Sequence, residues 1–398
     1  MSQRTQEAKT PIKLAVITAV DITMSGLVLA QLKAARDRGY EVHGVCTEGS
    51  NFPSLREEGI QMHGVTIYRK MSPFRDLKTL WKLYSLFRCE RFSVVHTHTP
   101  KVSLLGQLAA KLAGVPVIIN TVHGYYFHEN MKPLPRLFYT AMEWIASRCS
   151  TFILSQNPED VETAIRLRIA HPGKIQVLGN GVDLNHFDPL RFSEADRVRK
   201  RQTIGIPPNA VVVGIIGRLV REKGYLELFQ AMKQLMDHHE NAWLMIIGIE
   251  EPEKADRISG HTFKEYGIEE RTKWMGECRK EEIPGLLACC DIYVLPSWRE
   301  GFPRSAIEAA AMGLPVVATN IRGCRQVVEH ETSGLLVPLK DVKALTQALC
   351  RLLESQDLRQ RMGQAGYEKS RKEFDEGRIC EIVVETYDRL ALRAVCKK

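Results

Sequence analysis

Short runs rich in apolar residues recur along the chain, and most of them are followed by a turn and a segment with helical spacing. The first half contains such runs at residues 12–18, 41–47, 93–98, 116–122, 151–155 and 174–178, and the second half at 211–217, 242–248, 291–296 and 315–318. Runs without polar alternation are typical of parallel strands that are buried on both faces. Strands that alternate with helices predict α/β domains with doubly wound parallel sheets.

The chain is long enough for two domains of ordinary size, at 398 residues. A turn at Asn180-Gly-Val-Asp183 and a loop-like segment through Asp188-Pro189 mark the predicted junction. We therefore predict a first domain at residues 1–188 and a second at 189–375, which a charged helix near residues 193–203 would open. A final amphipathic helix is predicted within residues 376–398.

The stretch from Val294 to Pro338 has the strongest local pattern. An apolar run ends at Pro296, and Pro303 suits the first position of a helix. Residues 304–312 favour a helix, which residues 313–315 stop before another apolar run. A helix that starts just beyond the end of a buried strand presents unpaired N–H groups and a partial positive charge. That terminus therefore attracts an anion.

Two glutamates, Glu300 and Glu308, bracket this helix start. Eight helical residues span about 12 Å, and a loop at one end shortens that distance. The two carboxylates could therefore contact both ends of a ligand whose diphosphate lies between them. The alternative interpretation is that both are solvated surface charges.

Two cations, Arg218 and Lys223, follow the apolar run at 211–217 and precede a long amphipathic helix. Such residues, just beyond the carboxyl end of a parallel strand, are well placed for a diphosphate. Arginine can bind phosphate oxygens in a bidentate manner, whereas lysine acts as a compact point charge. A surface charge cluster is the alternative.

Histidines mark two neighbouring strand ends of the first domain. His96 and His98 lie on one side of a predicted strand, but no acidic or cysteine partner follows at a useful distance, which favours a structural role over a metal site. His123 precedes Gly124 at the end of the strand at 116–122, where open α/β sheets bind ligands. The residues alone leave a structural and a catalytic role open for His123; two weaker candidates, for an acceptor, are His128 and Glu129.

The segment at residues 74–91 has helical spacing and a basic, aromatic character. The pattern places Leu77, Leu80, Trp81, Tyr84 and Phe87 on one side, with Arg75, Lys78, Lys82 and Arg88 elsewhere. A helix packed on its own sheet and a helix on a membrane surface both fit this pattern.

Composition narrows the class of protein. An apolar share of 44% and a charged share of 26% are those of a globular domain protein, and the first eleven residues are polar, without the apolar run of a signal peptide or membrane span. Ten scattered cysteines without a C-x-x-C pair argue against a zinc or disulfide framework and favour a reducing cytosol. The net charge of +8 favours phosphates or anionic lipid as partners; no feature indicates nucleic acid.

The sequence from Glu300 to Glu308, continued through Ala310-Ala-Met-Gly-Leu-Pro-Val-Val-Ala318 and Glu331-Thr-Ser-Gly-Leu-Leu-Val-Pro338, resembles the donor-site signature of the retaining glycosyltransferases of family 4. This resemblance implies the GT-B fold, with two Rossmann-like domains facing across a cleft, an acceptor-side first domain and a donor-binding second domain. It also implies that the final helix crosses back onto the first domain.

The resemblance implies roles for individual residues. Glu308 would hold the ribose hydroxyls of a nucleotide sugar, and Glu300 with the backbone of Gly301, Phe302 and Pro303 would hold the transferred sugar. The remaining implied donor and catalytic residues are Arg218 and Lys223 at the diphosphate, His123 at the donor sugar, Arg279 in the segment beside the base, and Gly26 in the first loop, at residues 21–26. Family members usually carry a glycine pair in that loop, whereas this chain has only Gly26.

We therefore predict a retaining, metal-independent hexosyltransferase of polysaccharide or glycoconjugate biosynthesis, without a cofactor, because no Asp-x-Asp motif is present to hold a divalent cation. A UDP-sugar donor and a saccharide or polyprenyl-linked acceptor are expected. The expected location is the cytoplasm, with peripheral binding to an anionic inner membrane surface as a further expectation. Two alternatives stay open: an epimerase or hydrolase of nucleotide sugars with the same fold, and a non-catalytic sugar-nucleotide binding protein.

Overall fold

Contacts within the chain divide it into two units, Met1–Gly179 with Gly377–Lys398 and Asn180–Glu376. The computed structural model describes residues 11–68, 72–127, 131–251, 254, 256–260 and 262–395. The boundary between the two units lies after Gly179, whereas the sequence analysis predicts it after residue 188. Residues beyond Gly179 belong to the second unit because Val182 pairs with Asp375 and donates its N–H to the carbonyl of Phe374 at 3.0 Å.

The first unit is built on a parallel sheet of seven strands in the order β3-β2-β1-β4-β5-β6-β7. Its strands are β1 (Lys13–Val20), β2 (Glu41–Thr47), β3 (Gln61–Gly64), β4 (Val94–His98), β5 (Val117–Val122), β6 (Phe152–Ser155) and β7 (Ile175–Val177). Its helices up to this point are α1 (Asp21–Thr23), α2 (Leu29–Asp37), α3 (Phe52–Glu57), α4 (Pro73–Glu90), α5 (Pro100–Ala113), α6 (Pro133–Cys149) and α7 (Pro158–Arg166).

The second unit is built on a parallel sheet of six strands in the order β10-β9-β8-β11-β12-β13. Its strands are β8 (Val211–Ile216), β9 (Ala242–Ile247), β10 (Thr272–Gly276), β11 (Ile292–Leu295), β12 (Val316–Thr319) and β13 (Gly334–Val337). Its helices are α8 (Glu194–Thr203), α9 (Tyr225–His238), α10 (Thr262–Glu265), α11 (Ile283–Leu287), α12 (Arg304–Ala311), α13 (Arg322–Val327), α14 (Val342–Glu354) and α15 (Gln356–Glu373). Two doubly wound parallel sheets confirm the predicted α/β class.

The last helix, α16 (Glu376–Val395), packs on the sheet of the first unit. Val383 and Tyr387 are buried there among residues of β1, β4 and β5. The Tyr387 hydroxyl lies 2.6 Å from Nδ1 of His96, and Asp388 accepts hydrogen bonds from Tyr40 and Arg38 at 2.7 and 3.1 Å. Helix α16 thus completes the apolar core on this face of the first sheet.

The connection after β1 differs from the predicted loop at residues 21–26. The chain passes directly into α1 and a π-helix at Met24–Val28 before α2. The buried carboxylate of Asp21 accepts the N–H of Ile22 at 2.9 Å and that of Asn51 at 2.7 Å, so it fixes the start of this helix from a distant segment. The loop prediction was wrong because the partner that stabilises the helical start lies thirty residues further along.

Helix α4 buries only part of the predicted side. Of the predicted residues, Phe87 is buried and Leu80 and Tyr84 pack partly against the core, whereas Leu77 and Trp81 are 65% and 67% exposed. Thr79 and Leu83, which the pattern did not place on that side, are also buried. No helix among the described residues is long and apolar enough to cross a membrane.

Two glycines of α15 provide a matched test of packing against α12 and the turn that follows it. A Cβ on Gly363 would lie 2.0 Å from the carbonyl oxygen of Gly313, whereas a Cβ on Gly366 would meet its nearest neighbour, Ala310, at 3.6 Å. We expect Gly363→Ala to destabilise the protein by about 1–3 kcal/mol through overpacking. Gly366→Ala should be neutral or stabilise it by up to about 1 kcal/mol, because alanine favours helix. Urea unfolding midpoints check both, and equal effects of the two substitutions would contradict this packing.

Candidate functional site

The helix start at α12 presents the anion-attracting terminus that the sequence predicts. Strand β11 ends at Leu295, and α12 begins at Arg304. Pro303 is the residue before the helix, with φ −71° and ψ 105°, and not its first residue as predicted. Its extended ψ follows from the turn that carries the chain from the strand into the helix. No described side chain caps the N-terminus of α12, so its first N–H groups are available to a ligand.

An ion pair joins the two strand ends at this edge of the sheet. Lys223 Nζ lies 2.6 Å from Glu300 Oε1, and only 20% and 13% of the two side chains are exposed. Gly224, at φ 76°, allows this approach, because a Cβ there would lie 2.1 Å from the carbonyl oxygen of Pro296. The structure therefore brings together a cation after β8 and a carboxylate after β11.

Arg218 lies after the same strand, β8, but has other carboxylate partners. Its guanidinium is 2.6 Å from Glu251 Oε2 and 3.7 Å from Glu222 Oε1. The side chain is 41% exposed, so it can move between partners. A phosphate that binds Arg218 would have to compete with Glu251 or share the guanidinium with it.

Glu308 lies in a second, adjoining set of charges. Arg304 contacts Glu308 at 3.3 Å and Glu376 at 2.8 Å. Burial raises the pKa of the Glu308 carboxyl to about 7, an effect that the nearby Arg304 and Lys280 partly offset. Glu308 is therefore about half ionised near pH 7, and a hydrogen-bond donor from a ligand would favour its charged form.

The backbone at residues 300–302 is held from two sides by residues that the sequence pattern did not single out. Asn180 is buried and donates a hydrogen bond from Nδ2 to the carbonyl of Phe302 at 3.0 Å. On the other side, a Cβ on Gly323 would lie 2.6 Å from the carbonyl oxygen of Glu300, so only glycine fits there without displacement. The turn at residues 180–183 was the only sequence signal near Asn180, and nothing in the sequence pattern indicated the contact at Gly323.

Arg279 is a highly exposed candidate residue. Its side chain is 80% exposed and contacts Glu282 at 3.3 Å. The following residue, Lys280, is close enough to Glu308 to lower the pKa of that carboxyl. The loop therefore borders the Glu308 end of the group, whereas Arg279 itself points to a surface partner.

His123 lies at the carboxyl end of β5, beside a second histidine. Its Nε2 is 3.0 Å from Nδ1 of His98, and the two rings stack with centroids 5.2 Å apart. Burial lowers the pKa of His123 to about 4, with a smaller opposing effect of Gln156, so the ring is neutral at pH 7. His98 thus orients His123, a link that the strand pattern did not predict.

His96 has the structural role that the sequence favours. Its Nδ1 contacts Tyr387 and its Nε2 lies 2.7 Å from Thr121 Oγ1, so both ring nitrogens have partners. Gly26 is exposed within the π-helix after β1 and has no neighbour within 4 Å of a Cβ position. His128 and Glu129, the weaker acceptor candidates, lie outside the described residues.

Comparison with known proteins identifies the family. Residues 196–369 match the family described as glycosyl transferases group 1, and residues 27–181 match the glycosyl transferase 4-like domain. A UDP-Gal:alpha-D-GlcNAc-diphosphoundecaprenol alpha-1,3-galactosyltransferase of Escherichia coli is 30% identical over 83% of this chain and 84% of its own length. The chain belongs to the group 1 glycosyltransferases.

One further relative and one solved structure extend the comparison, the first by sequence and the second by fold. An N,N'-diacetylbacillosaminyl-diphospho-undecaprenol alpha-1,3-N-acetylgalactosaminyltransferase of Campylobacter jejuni is 24% identical over 90% of this chain and 94% of its own length. The crystal structure of Anabaena Alr3699/HepE in complex with UDP-glucose superposes with a TM-score of 0.79 and 21% identity, over 95% of this chain and 100% of that one. The predicted GT-B glycosyltransferase is confirmed, while the roles of the individual site residues stay predictions.

The raised pKa of Glu308 predicts a stability change with pH. A carboxyl whose folded-state pKa of about 7 exceeds its ordinary value of 4.5 makes the fold lose stability as the pH rises from about 4.5 through 7. Glu308→Gln cannot ionise, so it should gain stability relative to the wild type between about pH 5 and about pH 8, by about 3 kcal/mol at most. Urea unfolding at the two pH values measures this gain.

Glu331→Gln is the matched control for that measurement. Arg351 lowers the pKa of the exposed Glu331, so its contribution to stability is present at neutral pH and lost in acid. The control variant should therefore show no gain as the pH rises. A difference between Glu308→Gln and the wild type that is constant with pH would show that burial of Glu308 is not costly.

Proposed function

We propose that this glycosyltransferase moves a hexosyl group from a UDP-sugar to a polyprenyl-diphosphate-linked saccharide with retention of configuration, in polysaccharide or glycoconjugate biosynthesis. The observation that carries the proposal is the Lys223–Glu300 pair beside the uncapped start of α12, with Glu308 in the same helix. The names of the Escherichia coli and Campylobacter jejuni relatives give diphosphoundecaprenol-linked acceptors, which supports this acceptor class.

Donor binding is assigned to the second unit. Ribose hydroxyls donate to Glu308, whose carboxylate then becomes the favoured form. The diphosphate lies at the N-terminus of α12, where backbone N–H groups and the helix dipole stabilise negative charge. Lys223 is held at that edge by Glu300, and Arg218 can exchange Glu251 for a phosphate oxygen. Glu300 and the backbone of residues 301–303 take the hydroxyls of the transferred sugar.

We assign retention to attack by the acceptor hydroxyl on the face from which the diphosphate departs. The bond from the anomeric carbon to the leaving oxygen breaks, the acceptor oxygen forms the new bond, and the departing phosphate takes the acceptor's proton. Lys223, Arg218 and the α12 terminus stabilise the charge on the leaving group without a metal ion at this site. His123, neutral because of its lowered pKa, serves as a hydrogen-bond partner that orients the sugar.

The epimerase or hydrolase alternative needs acid and base carboxylates in the first unit. Glu143 and Asp160 form a pair there, and burial together with Asp160 raises the pKa of Glu143 to about 7. Both carboxylates are buried, and Asp160 accepts the N–H of Tyr125 at 3.3 Å. Asp160 of this pair therefore binds the backbone at Tyr125. This structural role favours transfer over the epimerase or hydrolase alternative.

The donor assignment predicts a separation of binding from turnover. Glu308→Ala should weaken UDP binding by about 10- to 150-fold, because a hydrogen bond to a charged group contributes about 1.5–3 kcal/mol. Glu300→Gln should leave UDP affinity nearly unchanged and lower turnover, because its proposed partner is the sugar. Calorimetry and transfer rates measure the two effects, with Glu331→Ala as a surface control. The reverse pattern would overturn the assignment, and UDP binding without any turnover would favour the non-catalytic binding protein.

Two helices of the first unit, α4 and α6, begin at the carboxyl edge of its sheet and carry exposed apolar side chains in their N-terminal halves. The most exposed of them are Phe74 at 90% and Leu134 at 79%, and we call the group the apolar rim, comprising Phe74, Leu77, Trp81, Leu134, Leu137 and Phe138. A patch of this kind on a protein surface marks a site of binding to a membrane or a partner.

Basic residues border the apolar rim. Arg75, Lys78, Lys82 and Lys132 are exposed beside it. A bilayer is the partner that combines apolar depth with anionic headgroups, and each basic residue near the surface adds about 1 kcal/mol of attraction. We therefore place the enzyme on the cytoplasmic face of the membrane, where a polyprenyl-linked acceptor is anchored. The described cysteines are free thiols, which fits a reducing compartment.

Liposome flotation tests this placement. The wild type should float with anionic vesicles and not with neutral ones at low salt, because exposed charges are screened over about 10 Å at 0.1 M salt. Lys78→Glu/Lys82→Glu should stay unbound while remaining folded. Lys343→Glu/Lys372→Glu, which makes the same charge change on exposed residues of the second unit, should float like the wild type. If the wild type never floats, a soluble acceptor becomes the better assignment.

A further inference from the structure

A histidine, a cysteine and a glutamate converge at the end of the second unit away from the candidate donor site. His239 directly follows α9, and Cys350 and Glu354 lie one turn apart on α14. His239 Nε2 is 3.7 Å from Cys350 Sγ and 3.8 Å from Glu354 Oε1, and Cys350 Sγ is 3.4 Å from Glu354 Oε1. A nitrogen, a sulfur and an oxygen atom, all of types that bind metal ions, therefore lie within 4.8 Å of one another.

We propose that His239, Cys350 and Glu354 form a zinc-binding site. Zinc binds sulfur at about 2.3 Å, imidazole nitrogen at about 2.0–2.1 Å and carboxylate oxygen at about 2.0–2.2 Å, in a tetrahedron. Those bond lengths separate the ligand atoms by roughly 3.3–3.6 Å. The three separations in the protein are 3.4, 3.7 and 3.8 Å, so small rotations of the side chains complete the arrangement.

The mixed set of donor atoms selects the kind of metal. Magnesium and calcium take oxygen ligands, whereas a thiolate with an imidazole favours zinc and neighbouring transition metals. Three protein ligands leave a fourth tetrahedral position for water or for an external ligand. Glu354 is 60% exposed and His239 is 21% exposed, so an ion can enter from solvent.

The backbone that carries the ligands is fixed in place before any ion binds. The N–H of His239 donates to Leu235 at 2.8 Å, and Arg271 donates to the carbonyls of His239 and Met236 at 2.9 and 2.7 Å. Helices α9 and α14 share one apolar core, in which Leu235 and Leu349 are buried. His239 is more than a hundred residues away from Cys350 and Glu354 along the chain, so only the fold brings it to them.

The site is distinct from the proposed diphosphate site. Lys223 lies just before the start of α9 and His239 just after its end, and a helix of this length spans about 20 Å. A zinc ion here would join α9 to α14 and stabilise the second unit without contacting the donor. Because an ion that binds only the folded state stabilises it by mass action, zinc at a hundred times its dissociation constant should raise the unfolding temperature by roughly 5 °C.

Cobalt substitution tests the site directly and needs no sugar donor, so its outcome is independent of the proposed transfer reaction. The full chain is stripped with a chelator, dialysed and titrated with Co²⁺. We expect one equivalent to give a thiolate-to-cobalt charge-transfer band with the visible bands of a tetrahedral ion, and Zn²⁺ to abolish both. Absence of the band in the wild type would overturn the proposal.

Matched variants assign the ligands. Cys350→Ser should remove the charge-transfer band, His239→Gln and Glu354→Gln should weaken cobalt binding at least tenfold, and none of the three should show the rise in unfolding temperature with Zn²⁺. Cys149→Ser, which changes a half-buried cysteine of the first unit, should behave like the wild type. Circular dichroism verifies that each variant is folded. A band that survives in Cys350→Ser, or unchanged cobalt affinity in both His239→Gln and Glu354→Gln, would show that the metal binds elsewhere.

Discussion

The ion pair between Lys223 and Glu300 is the interaction on which the candidate donor site depends. Its members come from different strand ends, and both are largely withdrawn from solvent, so removal of either would leave a poorly solvated charge without a partner. The pair also fixes the distance between the turn before α9 and the turn before α12. A ligand that brings its own negative charge enters a site in which the lysine is already positioned, and it has to share that lysine with the glutamate.

The two units use different chemistry at the same edge of their sheets. In the second unit every candidate charge has a counter-charge: Arg218 has Glu251, and Glu308 has Arg304. Because each of these charges already has a partner, none is left isolated and withdrawn from solvent, an arrangement that would be costly. In the first unit the corresponding position is occupied by His123, which is kept neutral by burial and held by a second neutral ring. Such an arrangement suits hydroxyl groups better than phosphates.

Features that depend on the local pattern could be predicted from the sequence, and features that depend on distant partners could not. Apolar runs located most of the strands, although not β3 with its sequence Gln-Met-His-Gly, and the Gly/Pro turn before α12 located Glu300. Both kinds of signal depend on nearest neighbours in the chain. The buried side of α4 could be predicted only in part, since apolar residues lie on its exposed side as well. The hydrogen bonds from the Asn51 N–H to Asp21 and from Asn180 to the Phe302 carbonyl link segments far apart in sequence, and no periodic pattern indicates them.

The contribution of α16 to the first unit has a consequence for the order in which the protein matures on the ribosome. The first seven strands are synthesised long before Val383 and Tyr387, the residues that cover their apolar face and supply the partner of His96. Until α16 is made, that core lacks part of its cover and one nitrogen of a buried imidazole lacks its partner. The second unit, whose strands and helices all precede Gly377, can close first. The unit whose strands are synthesised first is therefore the later of the two to complete its core.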